Sequence, residues 1–123
     1  MADQKKILII DDDIDFREQA KIVLETENYE VLEAEDGTVG LELIKRNNPD
    51  FILLDVMMEE VDTGVKLADR IEALKIQAPV VILSSFANAA KQIFDTTSVP
   101  VKEYLQKPLK SEELLTLVKK YTQ

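Results

Sequence analysis

The chain has 123 residues, 46% of them hydrophobic and none of them Cys or His, with 15 basic against 24 acidic side chains for a net charge of −9. That length suits one domain whose core needs neither disulfides nor a structural metal, and any chemistry is left to carboxylates, hydroxyls, lysines and the backbone. The acidic balance argues against direct nucleic-acid binding, and the short apolar runs exclude a helical membrane span.

The amino end, Met1 to Lys6, is followed by no apolar core of secretion-signal length. A soluble, cytoplasmic protein is expected. Ile7-Leu8-Ile9-Ile10 is a continuous apolar run rich in β-branched isoleucine, as expected for a strand buried on both faces. After Asp11-Asp12-Asp13, the residues Phe16, Ala20, Val23 and Leu24 recur at helical spacing, and Asp15 with Glu18 resembles a capping box. Asp13 and Asp15, taken singly, read as helix-cap or loop residues. Tyr29 to Ala34 reads as a second strand, and Asp36-Gly37 as a turn into a helix carrying Leu41 and Ile44.

Pro49-Asp50 punctuates the chain before Phe51-Ile52-Leu53-Leu54, a third strand. Leu67, Ile71 and Leu74 mark a third helix, and Pro79 opens the strand Val80-Val81-Ile82-Leu83. Ala89, Ala90, Ile93 and Phe94 outline a fourth helix, Tyr104-Leu105 a short fifth strand. Ser111 followed by Glu112 and Glu113 reads as a capped helix start, with Leu114, Leu115 and Val118 on its apolar face. About five βα units in tandem predict a doubly wound α/β domain over 1–123, with a mostly parallel sheet and helices on both sides.

The polar residues follow the strands: Asp11-Asp12-Asp13 after the first, Asp55 after the third, Ser84-Ser85 after the fourth, and Gln106-Lys107-Pro108 after the fifth. In such a sheet ligands bind outside the carboxyl ends of the strands. Carboxylates ~4 Å apart repel by roughly 4 kcal/mol per pair at an effective dielectric near 20, so shared ionisation calls for a cation among them. A hard divalent ion such as Mg²⁺ fits oxygen ligands, and Lys107 suits an anion such as phosphate. Singly, Ser84 would be a turn hydroxyl and Lys107 a surface charge; together, after different strands, they point to a site.

The order Ile7-Leu8-Ile9-Ile10-Asp11-Asp12, Pro49 to Met58, Pro79 to Ser84 and Tyr104-Leu105-Gln106-Lys107-Pro108 resembles the response-regulator receiver family from Ile7 to about Val118. The resemblance implies a flavodoxin-like five-stranded parallel sheet of order 2-1-3-4-5 with five helices. It implies Asp55 as phosphoacceptor, with Mg²⁺ held by Asp12 directly, Asp11 mainly through water, Asp55 and the Met57 carbonyl. Ser84 then occupies the switch-hydroxyl position, Lys107 the phosphate-pairing lysine and Tyr104 the switch aromatic, and the Lys107-Pro108 peptide is expected to be cis. Implied partners are a sensor histidine kinase or histidine phosphotransfer domain, docking around Phe16, Arg17 and Ala20, and an unidentified output protein or domain reading the face of the fourth helix, fifth strand and fifth helix. The function implied is a signalling switch rather than an enzyme with an independent substrate.

Three departures accompany the likeness. The loop after Asp55 reads Met58-Glu59-Glu60-Val61-Asp62-Thr63-Gly64, without the family's proline and with glycine one position late. Ser85 replaces the usual small residue after the switch hydroxyl, and Phe86 with Met57 would shield a phosphoryl group from water. Ser98-Val99-Pro100-Val101 replaces the usual turn, predicting an early end to the fourth helix and an irregular segment from about Thr96 to Val101. Competing readings are an unphosphorylated receiver used for binding, a haloacid-dehalogenase-type phosphohydrolase, and a flavodoxin-like redox protein. Met57 stands where the second requires Asp, and three aspartates stand where the third requires a phosphate loop.

Overall fold

A computed structural model describes residues 4–56 and 61–123. Its elements run β1 (Lys6–Ile10), α1 (Ile14–Glu25), β2 (Glu30–Ala34), α2 (Gly37–Asn47), β3 (Phe51–Asp55), α3 (Val61–Ala73), β4 (Val80–Ser84), α4 (Ala87–Phe94), β5 (Val101–Gln106) and α5 (Ser111–Thr122). The five strands form one parallel sheet of order β2-β1-β3-β4-β5, as expected.

Strand alternation divides the interior in two. Leu8, Ile10, Ile52, Leu54, Val80 and Ile82 face α2, α3 and α4, where Ile44, Ala68, Ile71, Ala90 and Phe94 meet them. Ile7, Ile9, Phe51, Leu53, Val81 and Leu83 face α1 and α5, against Ala20, Leu24, Leu114 and Val118. Because β1, β3 and β4 are covered on both faces, their sequences are apolar at nearly every position. Each fully buried Leu, Ile or Phe contributes about 1.5–3 kcal/mol of transfer free energy. β5 lies at an edge, is only half-buried, and mixes polar with apolar residues accordingly.

The caps differ from expectation at two helices. Asp13, not Asp15, caps α1: its carboxylate accepts from the Asp15 and Phe16 N–H groups. At α5 the N-cap is Lys110 and Ser111 is already helical, while the Glu113 carboxylate accepts from the Lys110 N–H. Asp36 does cap α2, accepting from the Val39 N–H. Helix α4 ends at Phe94, and turns and irregular backbone lead to β5, which begins at Val101 and is longer than the sequence pattern predicts. Among the described residues no helix is long and apolar enough to cross a membrane.

Candidate functional site

Parallel strands bring their carboxyl ends to one edge. Asp55 and Ser84 are the last residues of β3 and β4, while Asp11 and Lys107 follow the last residues of β1 and β5. Ladder bonds continue past the strand ends, from the Asp11 N–H to the Ala34 carbonyl (3.0 Å), from Val56 to Leu83 (2.9 Å) and from Lys107 to Ser84 (3.0 Å). The polar side chains are therefore held by the sheet rather than by loose loops. The Lys107-Pro108 peptide is cis.

Asp11, Asp12 and Asp55 each offer a carboxylate oxygen within 4.8 Å of the others. Asp11 and Asp55 are buried, and Asp12 opens to solvent. Lys107 Nζ stands 2.9 Å from both Asp55 oxygens and donates to Oδ2, and among the described residues the buried Oδ1 has no hydrogen-bond donor. Burial, opposed by the Asp13 N–H at 2.9 Å and reinforced by the charge on Asp55, pushes the Asp11 carboxyl up from 3.8 to about 6. Burial would lower the Lys107 ammonium, but the bond to Asp55 and the charges of Asp55, Asp11 and Asp12 outweigh it and hold it above the usual lysine range.

Among the described residues one lysine beside three carboxylates leaves negative charge uncompensated, and the donor-less Asp55 Oδ1 lies within that cluster. A buried acceptor without a donor is costly unless a cation or water reaches it. The all-oxygen donor set fits a hard divalent ion such as Mg²⁺, which ordinarily takes one or two carboxylates with water and phosphate oxygens. Met57, whose carbonyl was expected to add a ligand, lies outside the described residues, as does the altered stretch 57–60.

The remaining expected residues are distributed as follows. Ser84 is fully buried, and its Oγ accepts from the Phe86 N–H at 2.9 Å, the geometry of a turn hydroxyl. Tyr104 is half-buried against the α4 side of the core, its phenol donating to Asp95. Phe86 is 58% exposed. Two residues expected to dock a partner do otherwise. Ala20 is fully buried against the sheet, so it has no surface to offer. Arg17 is turned inward, donating from Nη1 to the Asp11 carbonyl (2.6 Å) and from Nε to Glu33 (3.2 Å), and so braces the acidic β1–α1 loop. Gln106, Asp95 and Glu33 carry no sequence signal of a role, since each finds its partner through the fold.

The acidic, lysine-paired cleft lies at the β1–β3 switch point, where ligands of the doubly wound, flavodoxin-like class of α/β domains bind. The sequence profile of the response regulator receiver domain matches residues 7–119, and the chain belongs to that family, the receivers of two-component signalling. It is 33% identical over 110 residues to the response regulator MprA of Mycobacterium sp. (strain KMS), covering 89% of this chain and 47% of that protein. It is equally 33% identical over 119 residues to the transcriptional regulatory protein CseB of Streptomyces avermitilis, covering 97% and 49%. The chain thus spans about half the length of these curated relatives. Among solved structures, TrrA of Thermotoga maritima in complex with Mg²⁺ and BeF superposes with a TM-score of 0.75 at 30% identity, covering 96% of this chain and 99% of that one. A CheY-like receiver domain protein of Methanospirillum hungatei superposes with a TM-score of 0.79 at 27% identity, covering 96% and 93%.

Proposed function

We propose that residues 1–123 form a single receiver domain that accepts a phosphoryl group on Asp55 in a Mg²⁺-dependent reaction and signals through the change. The observation that carries this reading is Asp55 itself, paired with Lys107 at 2.9 Å and grouped with the carboxylates of Asp11 and Asp12. Asp11, Asp12 and Asp55 would hold the ion, with the Met57 carbonyl as the family resemblance implies. When bound, Mg²⁺ supplies positive charge that offsets the carboxylates and the phosphoryl oxygens.

The chain's own groups account for the rest. A carboxylate oxygen of Asp55 forms the new O–P bond as the donor's bond to phosphorus breaks, and that electron pair leaves with the donor. Lys107 holds Asp55 before transfer and pairs with the phosphoryl oxygens afterwards. The Ser84 hydroxyl turns from the Phe86 N–H to a phosphoryl oxygen, and Tyr104 moves inward, altering the α4–β5–α5 face. Such a change requires only that the phosphoryl group favour one of two accessible states.

Without histidine or a nucleotide-binding loop in its sequence, the chain takes its phosphoryl group from another protein, a histidine kinase or phosphotransfer domain, and passes the signal to an output partner. The acidic surface balance and family setting support a cytoplasmic signalling role rather than that of an enzyme with its own substrate. The test is intact mass after incubation with Mg²⁺ and a small acyl-phosphate donor, beside an Asp55→Asn variant. A gain of one phosphoryl mass, lost in the variant and without Mg²⁺, is expected. No gain with any donor would leave a receiver that acts by binding alone.

A further inference from the structure

The loop between β4 and α4 is fastened from another strand. Gln106, the last residue of β5, stands opposite Ser84 in the sheet register. Its Nε2 donates to the Ser85 carbonyl at 2.5 Å, and its Oε1 accepts from the Ala87 N–H at 3.2 Å. Between these anchors lies the Phe86 N–H that Ser84 Oγ accepts. One backbone group of each of Ser85, Phe86 and Ala87 is thus held by two side chains, those of Ser84 and Gln106. Only one orientation of the carboxamide pairs its oxygen with an N–H and its nitrogen with a carbonyl, so the network fixes it.

The helix start explains why such a fastening exists. Ala87 opens α4, and Phe86 at the N-cap provides no side-chain acceptor. Helices ordinarily begin with Ser, Thr, Asp or Asn, whose oxygen takes an orphan N–H. Here a carboxamide nineteen residues further along supplies that oxygen.

We propose that Gln106 is a positioning residue for Ser84, clamping the β4–α4 loop in the orientation that keeps the hydroxyl on the Phe86 N–H. This rests on the phosphoaspartate reading above, since it concerns how readily the hydroxyl turns towards Asp55. For that turn the Phe86 N–H must find another acceptor and residues 85–87 must shift. Gln106 grips both sides of this segment and immediately precedes Lys107, so the same residue links the hydroxyl's loop to the lysine's strand. The clamp opposes the turned state, and removing it favours that state.

Gln106→Met keeps the length of the side chain and removes both polar anchors. Wild type and variant are titrated with Mg²⁺ alone, then with beryllium fluoride (a phosphoryl mimic) in Mg²⁺, following backbone amide signals, and Ala87 amide exchange is measured in the free protein. Ala87 is expected to exchange faster in the variant, and beryllium fluoride to bind about five-fold tighter, which corresponds to about 1 kcal/mol, one net hydrogen bond. Mg²⁺ alone is expected to bind both proteins equally, because the Gln106 side chain hydrogen-bonds to Ser85 and Ala87 and not to Asp11, Asp12 or Asp55. Unchanged beryllium fluoride affinity, or a Mg²⁺ affinity that shifts in parallel, overturns the inference while leaving the phosphoaspartate reading intact. A wild type that takes up no beryllium fluoride overturns both.

Discussion

The phenol of Tyr104 donates a 3.0 Å hydrogen bond to the carboxylate of Asp95, the residue that follows the last turn of α4. Burial, and then the bond to and charge of Asp95, raise this phenol above the usual tyrosine range, so it remains a donor at any ordinary pH. The bond ties the middle of β5 to the irregular stretch before it. Inward motion of Tyr104 must break it. Asp95→Ala is therefore expected to lower the stability of the unphosphorylated protein by about 0.5–1 kcal/mol and to tighten beryllium fluoride binding a few-fold. Paired denaturation and binding curves check this, and an unchanged binding curve would separate the bond from the switch.

The Asp11 carboxyl gives the metal-free protein an unusual pH profile. Its value of about 6 in the fold lies above the ordinary 3.8, so the folded chain binds the proton more tightly than the unfolded chain. Stability from this group is complete below the unfolded value and is lost as pH rises through about 6. Urea unfolding without divalent ions should show a decline across that window. Saturating Mg²⁺ should flatten it, since the ion replaces the proton as the neutralising charge.

Lys107 compensates a buried charge as well as serving the proposed chemistry. The Asp55 side chain is 2% exposed and that of Lys107 28%. Lys107→Met leaves a buried carboxylate beside Asp11 with no cationic partner, and removing one member of such a pair costs about 3 kcal/mol. The loss should be largest without metal and smaller in millimolar Mg²⁺. Equal losses in both conditions would show that Lys107 acts through packing instead.

Two glycines of α2 separate tight from tolerant packing. A Cβ at Gly40 would lie 2.5 Å from Ile10 Cδ1 and 2.9 Å from its Cγ1, and Ile10 is a core residue of β1. Gly40→Ala should destabilise by about 1–2 kcal/mol, overpacking outweighing the helix-propensity gain of about 1 kcal/mol. At Gly37 the close neighbour is only the tip of the half-buried Leu67 side chain, at 2.9 Å. Gly37→Ala should be neutral or slightly stabilising in thermal melts.

Most of the site was legible because it is built from residues that follow strands. Asp11, Asp12, Asp55, Ser84 and Lys107 each fall within two residues of the end of an apolar run, so recognising the runs locates them. Strand order was not legible from periodicity; it came from the family resemblance, since alternation alone leaves several orders open. The α1 cap is not decided by the sequence, because Asp13 and Asp15 are both suitable acceptors and only backbone geometry chooses between them. The roles of Gln106, Asp95 and Arg17 are not legible in the sequence for another reason. Their side chains are generic surface polar groups until the fold delivers a carbonyl, a phenol or a loop to them.

The division of the core has a consequence for how disturbance spreads. Tyr104 belongs to the half that contains Ala90 and Phe94, while Leu105, its neighbour along β5, belongs to the half that contains Ala20 and Val118. The sheet between them acts as a partition wall: a volume change on the α4 side is absorbed there without repacking α1 against α5. One surface can therefore be remodelled while the opposite surface, built on α1, keeps its shape.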